Sequence, residues 1–334
     1  MVVWLLAADD HKRTAETLCL MVNEKPAIDI CICTFRRAEL ASALRSVAAM
    51  EMPEGHEVGI IVADNDDQPS ARGLVEEVAA ELSLPVRYQH CPARNISIAR
   101  NGCLDLSQAQ FVAFIDDDET VTSRWLIELL ETMREERADV VLGPVRAVYG
   151  PDAPDWMRNG DFHSTFPVWV DGTIRTGYTC NVLMRATSAA VSGIRFSLER
   201  GQTGGEDTEF FNTVTSRGGT IGFAPHAWVE EVVPPTRSRF DWLLRRRFRV
   251  GQTHGHLVRA KSTPIRIPAE VAKASAKAAY CFASAALTAP VPVRRNRSFL
   301  RGVMHVGVVG GLTGLRELRL YGLAKSETQT RPVA

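Results

Sequence analysis

The 334-residue chain has no net charge, because 39 lysines and arginines balance 39 aspartates and glutamates. A nucleic-acid binder needs a positive surplus, so overall charge gives no reason to expect one and local charge must be read instead. CxxC pairs are also missing. The seven cysteines, at positions 19, 31, 33, 91, 103, 180 and 281, are odd in number and scattered. That pattern argues against a disulfide framework or a zinc site, and suits reduced thiols in a cytosolic compartment, most of them small core residues. HExxH, GxGxxG and P-loop spacings are absent, as are internal repeats and long low-complexity stretches. No apolar run reaches the length of a transmembrane helix. The opening MVVWLLAADD has no basic region before its apolar run and meets acids at once, so it is a poor secretory signal, and the chain reads as not exported.

What is present is alternation. From Ile28 onward short apolar runs alternate with stretches of helical period, the pattern of a mostly parallel sheet with crossover helices. IDICICT ends at Thr34, and Arg37 to Met50 is expected to be helical through Leu40, Leu44 and Val47. EVGIIVADN, PVRYQHC and QFVAFI read as the next three strands, separated by helices over SARGLVEEVAAEL and NISIARNGCLDLSQA. Thr122 or Ser123 is expected to cap the helix that follows. From Ala138 to Val233 the strand-like pieces DVVLGPVRAVY, NVLMRA and TIGFAP suggest mixed pairing around a short helix, DTEFFNTVTSR. The expected organisation is an extension over 1–27, an α/β domain over 28–235 with halves at 28–120 and 121–235, and a cationic, apolar helical region over 236–334. His254 and His256 are expected in a loop.

In such sheets ligands collect beyond the carboxyl ends of the strands, where loops and helix N-termini offer unpaired donors. Asp116, Asp117 and Asp118 lie there, directly after the fourth strand. Three adjacent carboxylates repel, and a hard divalent ion bridging them to diphosphate oxygens, Mn2+ or Mg2+, would relieve the repulsion. The plainer alternative is a solvated turn leading into a helix. Glu206 and Asp207 follow a Gly-rich loop and open a helix, either as acids that meet a substrate after loop closure or as ordinary first-turn residues. Asp64, Asn65, Asp66 and Asp67 could read a base or ribose, or form an Asx turn. Arg94, Asn95, Arg100 and Asn101 suit oriented recognition of diphosphate and sugar hydroxyls, although surface arginines are common. Arg245, Arg246, Arg247 and Arg249 alternate with Leu243, Leu244 and Phe248. That helix either faces an anionic leaflet or lipid diphosphate, or is a solvated helix with snorkelling arginines. The apolar segments Ala278 to Val293 and Val303 to Leu315 are either buried helices or membrane-associated ones.

Taken in order, IDICICTFRR, IIVADND, RNISIARNG, FVAFIDDDE, TCNVLMR, GGEDTEFF and RRRFRVGQ resemble the family 2 inverting glycosyltransferases of GT-A fold, especially the bacterial exopolysaccharide type, over Ile28 to Gln252. The resemblance implies a Rossmann-like mixed sheet flanked by helices, with a helical C-terminal extension. It implies that Thr34 and Arg36 flank the nucleotide, Asp64 receives the uracil N–H, Asp116 contacts ribose or sugar, Asp118 holds the metal and Asp207 is the base. Asn65, Arg94, Arg100, Asn101, Asp117 and Asn181 are the further donor-binding candidates. Many relatives have a metal-contacting His after the strand that here reads AWVEEVV. Glu230 stands in that place as the candidate ligand, beside Glu231, with His226 shortly before. The processive members' QxxRW is absent, which favours one sugar added per encounter.

The expected reaction is inverting transfer of a hexose from a UDP-sugar, UDP-glucose as first choice, to a lipid-linked or saccharide acceptor in cell-surface polysaccharide assembly. The expected place is the cytoplasmic face of the membrane, peripherally bound, with no nucleic-acid partner. Two other classes compete. A sugar-phosphate nucleotidyltransferase would need a Gly-rich first loop, and CTFRRAEL has no glycine. An inactive sugar-nucleotide-binding scaffold would have no use for a base, yet the triplet and Glu206-Asp207 are both present.

Overall fold

The computed structural model describes residues 26–316 except 203; the expectations for the first 25 residues, Cys19 among them, and for residues 317–334 lie outside it. The first half runs β1 (Ala27–Thr34), α1 (Leu40–Ala49), β2 (Glu57–Asp64), α2 (Arg72–Ala79), β3 (Val86–His90), α3 (Ile96–Leu106), β4 (Phe111–Asp116), β5 (Glu119–Val121) and α4 (Trp125–Glu135). It continues through β6 (Val140–Leu142), β7 (Val145–Tyr149), α5 (Asp155–Gly160), β8 (Trp169–Val170), β9 (Thr173–Ile174), β10 (Asn181–Arg185), α6 (Glu206–Ser216), β11 (Ile221–Phe223) and β12 (Val229–Val233). Three long helices follow: α7 (Phe240–Lys261), α8 (Ile267–Leu287) and α9 (Pro292–Thr313).

A seven-stranded sheet has the order β11-β6-β10-β4-β1-β2-β3, with β1 to β4 mutually parallel and β10 antiparallel between β4 and β6. Both faces are covered, so the central strands are apolar along most of their length and the two-residue period sorts their side chains. Ile28, Ile30 and Ile32 of β1 join one core with α1, α2 and α4, while Cys31 joins the other with α3 and α6. Phe111, Ala113 and Ile115 of β4 face the first core, and Val112 and Phe114 the second. A smaller sheet, β5-β12-β7, stands beside the main one.

Some local expectations are corrected. The first helix begins at Leu40 rather than Arg37, because Arg36 takes a left-handed φ of 54° and turns the chain before the helix can start. Neither Thr122 nor Ser123 caps α4: the Thr122 hydroxyl donates to Trp228 O and the Ser123 hydroxyl to Glu51. DVVLGPVRAVY divides at Gly143-Pro144 into β6 and β7, which belong to different sheets. His254 and His256 lie within α7, not in a loop.

The last correction has a packing cause. Two glycines in one helix cost about 1 kcal/mol each relative to alanine, yet α7 runs unbroken through Gly251 and Gly255. Both face α9 at a separation no side chain allows: a Cβ on Gly251 would sit 1.9 Å from Met304 O, and one on Gly255 2.3 Å from Val308 O. From the other side, Cβ atoms on Gly307 and Gly311 would meet Phe248 O at 2.1 Å and Gln252 O at 2.2 Å. The backbones touch, and dispersion over that contact offsets the propensity cost. Met157, Phe162, Leu243 and Leu300 join this helical unit to the α/β domain. Among the described residues no helix is long and apolar enough to cross a membrane.

Candidate active site

Register brings the sequence candidates to one edge. Thr34 ends β1 opposite Asp64 of β2, Asp64 is opposite His90 of β3, and Asp116 ends β4 opposite Cys33. The Thr34 hydroxyl donates to Asp117 Oδ2 at 2.7 Å and the Phe35 N–H to the same oxygen at 3.4 Å. Asp117 is therefore a buried tie between two strand ends, and Thr34 is its donor; neither side chain is open to a nucleotide as expected. Burial pushes the Asp117 carboxyl up to about 6, with the Thr34 hydroxyl opposing.

The nucleotide corner is corrected in detail. Asp64 is fully buried, and its carboxylate accepts from Asp66 N–H, Ala71 N–H and the Tyr88 hydroxyl. A carboxylate so enclosed fastens the loop instead of meeting uracil. Asn65 Oδ1 accepts from Asn95 N–H. Two arginines in left-handed backbone flank this corner, exposed Arg36 (φ 54°) and half-buried Arg94 (φ 49°). Arg36 pairs bidentately with Asp66 at 2.7 and 2.9 Å, and Arg94 with Asp67 at 2.6 Å. Strained backbone held by ion pairs at a strand-end loop is a recurrent mark of ligand sites. The Arg36 guanidinium holds Asp66 down to about 2.

Beside it lies an acid cluster larger than the triplet. Glu119 is buried and accepts the Asp116 N–H at 2.8 Å. Burial pushes Asp116 up to about 7, against the pull of Arg100 and with the repulsion of Asp118 and Asp117; burial and Asp116 push Glu119 far above the carboxylate range. Arg37 lies 3.3 Å from Asp118 Oδ2 and Arg237 3.8 Å from the same oxygen. On β12, Glu231 pairs with Arg237 at 2.6 Å and is raised by burial and by Asp118, whereas Glu230 turns outward to Arg146 at 3.1 Å. Glu230 is thus corrected as the third acid: successive strand residues face opposite sides, and Glu231 is the one facing the triplet. Among the described residues no three His, Cys, Asp or Glu side chains converge as a ready cation cage.

On the far side stands a second acid pair. Arg100 is buried and its Nη1 donates to Glu206 Oε1 at 2.7 Å and to Asp207 Oδ1 at 2.6 Å. The expectation that Arg100 orients a diphosphate is replaced by this role, since its charge is directed at the carboxylates. Thr179 donates to Asp207 from both its N–H and its hydroxyl. Burial raises the Asp207 carboxyl, opposed by Arg100. The same guanidinium also lowers the Asp116 carboxyl, so one cation acts on both acid groups. The preceding loop is docked: a Cβ on Gly201 would lie 1.7 Å from Asn95 Oδ1. Asn101 exchanges hydrogen bonds with the Phe196 backbone at 3.0 and 2.8 Å. Asn181 is wholly buried, accepting from Trp125 Nε1 and donating to Pro144 O and Ala227 O. Both amides hold the scaffold through these bonds.

Arg37, Glu119, Thr179, Glu231 and Arg237 were not among the sequence candidates. Glu119 continues the acid run and Glu231 follows from strand parity, so those two carried a signal; Arg37, Thr179 and Arg237 become visible only through contacts between distant segments.

Sheet order, acid-lined strand ends and a helical extension together define a GT-A glycosyltransferase. Solved structures agree in fold: S. aureus TarS 1-349 in complex with UDP-GlcNAc has a TM-score of 0.51 at 16% identity, over 83% of this chain and 90% of that one. The same protein in complex with UDP has a TM-score of 0.50 at 17% identity, over 86% and 92%. The chain belongs to glycosyl transferase family 2, whose family pattern matches residues 29–191. It is 55% identical over 302 residues to the succinoglycan biosynthesis protein ExoM of Rhizobium meliloti (strain 1021), covering 90% of this chain and 98% of that protein. It is 24% identical over 243 residues to the glucosyl-dolichyl phosphate glucuronosyltransferase of Haloferax volcanii, covering 66% of this chain and 74% of that protein.

Proposed function

We propose that the chain transfers a hexose, with inversion, from a UDP-sugar to a lipid-linked or saccharide acceptor in the assembly of a succinoglycan-like surface polysaccharide at the inner face of the membrane. The observation that carries this reading is Arg100, which pairs with Glu206 and Asp207 and lowers the Asp116 carboxyl as well. A single displacement needs charge stabilisation on the leaving-group side and a base on the acceptor side. The relatives support it: ExoM is a succinoglycan biosynthesis protein, and TarS is seen with UDP-GlcNAc and with UDP. UDP-glucose remains the first donor to try.

Asp207 is the base of this reading. Thr179 and Arg100 fix its carboxylate, and burial keeps it basic enough to accept the acceptor hydroxyl's proton. Arg37 and Arg237 hold Asp118 in place. The donor chemistry fits Mn2+ or Mg2+, ions commonly bound by one or two carboxylates plus substrate phosphates; Asp118 and Asp116, with Glu231 nearby, would hold it. When bound, such an ion supplies neutralisation of the charge that develops on the departing diphosphate. A groove of about 520 Å3 lined by Pro235, Thr236, Arg239, Asp241, Trp242 and Arg245 is the proposed acceptor entry. Arg237 links it to the cluster, lying 5.9 Å over the Trp242 ring.

The test is transfer from UDP-sugars to a membrane lipid extract, with the anomeric configuration of the product read by NMR. Asp207→Asn should reduce turnover by roughly a hundredfold or more and leave UDP affinity nearly intact. Near-normal turnover in that variant, or retained configuration in the product, would overturn the mechanism.

A further inference from the structure

Outside the crevice, α8 and α9 enclose a groove of about 490 Å3 lined by Lys277, Tyr280, Cys281, Arg301, Met304 and His305. Cations enter it from both helices. Neither Lys277 nor Arg301 has an acidic partner among the described residues, and Glu270, earlier on α8, is paired with Lys273 at 3.5 Å. Like charge gathers here from all three helices: burial holds His305 down, reinforced by Lys277, His254 of α7 and Arg301, and burial holds Arg247 of α7 down, reinforced by Arg246 and Arg301. Beside these cations are apolar side chains with nothing over them. Tyr280 is 75% and Leu287 85% exposed, seven residues apart and so on one face of α8.

The Arg245 to Arg249 stretch does not show this combination. Leu243, just before it, is buried, and Arg246 lies 5.2 Å over the ring of Trp242, which itself stacks on His163 of the α/β domain. Like cations gathered on one face attract an anion, and exposed apolar groups beside them favour a non-aqueous partner; a phospholipid surface supplies both, while a soluble anion supplies one. Arginine with lysine is a usual pairing for phosphate oxygens. We infer that this groove is the protein's membrane contact: Lys277 and Arg301 bind the phosphate of an anionic glycerophospholipid, and Tyr280 and Leu287 enter the acyl boundary. The inference rests on the membrane-surface part of the proposed function and places that contact on α8 and α9 and not on α7.

Flotation of the full-length chain at low salt with phosphatidylglycerol/phosphatidylcholine vesicles, and with phosphatidylcholine alone, tests it. The chain should float with the anionic vesicles only. Lys277→Gln with Arg301→Gln should lower the partition coefficient at least tenfold, Tyr280→Ser with Leu287→Ser should lower it as well, and Lys277→Arg with Arg301→Lys should retain it. Circular dichroism and UDP binding verify that each variant is folded. If the unaltered chain floats and the Gln pair floats equally, the groove assignment is overturned while membrane association stands. If the unaltered chain floats with neither vesicle, both fall. A melting temperature raised by inorganic phosphate without flotation marks a soluble-anion site and overturns the lipid assignment.

Discussion

The Thr34 hydroxyl donates to Asp117 Oδ2 at 2.7 Å, tying the ends of two adjacent parallel strands across 83 residues of chain. Removing one partner of a buried bond leaves the other to bear its desolvation, worth about 1–3 kcal/mol, more for a charge. Thr34→Val keeps the shape and should destabilise the fold by about 2 kcal/mol in urea titrations at pH 8. A loss below about 0.5 kcal/mol would show that the Phe35 N–H suffices.

Arg100 lowers the Asp207 carboxyl that burial raises. Arg100→Gln therefore leaves Asp207 protonated to a higher pH, and the acidic limb of kcat/KM moves to higher pH. The deficit should be several times larger at pH 6 than at pH 9. Parallel profiles for variant and unaltered enzyme would mean that Arg100 acts on folding alone.

Strand parity on β12 gives a paired comparison. Glu231→Gln should raise the Mn2+ concentration needed for half-maximal transfer by roughly tenfold, the scale on which supporting groups tune metal sites. Glu230→Gln, whose carboxylate faces Arg146, should leave it unchanged. Chelation should abolish transfer in both, and transfer that persists in chelator would remove the ion from the reaction.

At the helix contact, Gly307→Ala places a methyl 2.1 Å from Phe248 O, against backbone that cannot swing aside. Overpacking of this kind costs about 1–3 kcal/mol, so thermal melting should fall by several degrees. Gly150→Ala, with open space around it, should stay within about 0.5 kcal/mol of the unaltered protein.

Acid separates the Arg36–Asp66 pair. Asp66 sits near 2 in the folded chain, below its unfolded value, so its contribution is present above about pH 4 and is lost as pH falls towards 2. Because Arg36 is exposed and solvent screens the pair, the contribution is small. Arg36→Gln should flatten the fall in stability over that window, measured in urea.

Strand positions were readable because a doubly covered sheet needs unbroken apolar runs, and IDICICT and QFVAFI have few other uses. The acids at strand ends were readable as a group. Their division of labour was not, because it depends on where neighbours point. Asp64 and Asn181 look like ligand contacts in sequence, yet Tyr88, Ala71, Trp125 and Pro144 enclose them. Arg100 looks like a diphosphate clamp until α6 places Glu206 and Asp207 against it. The unbroken course of α7 was hidden because glycine reads as a helix breaker unless the backbone of a partner helix is known to lie against it.

At 22 residues, α7 is a rod roughly 33 Å long. Near its beginning Trp242 lies beneath Arg237, and its later turns are clamped by glycine contact to α9. Backbone touching backbone permits almost no slip, so α7 and α9 form one rigid unit, held to the α/β domain where Leu243 and Leu300 pack with Met157 and Phe162.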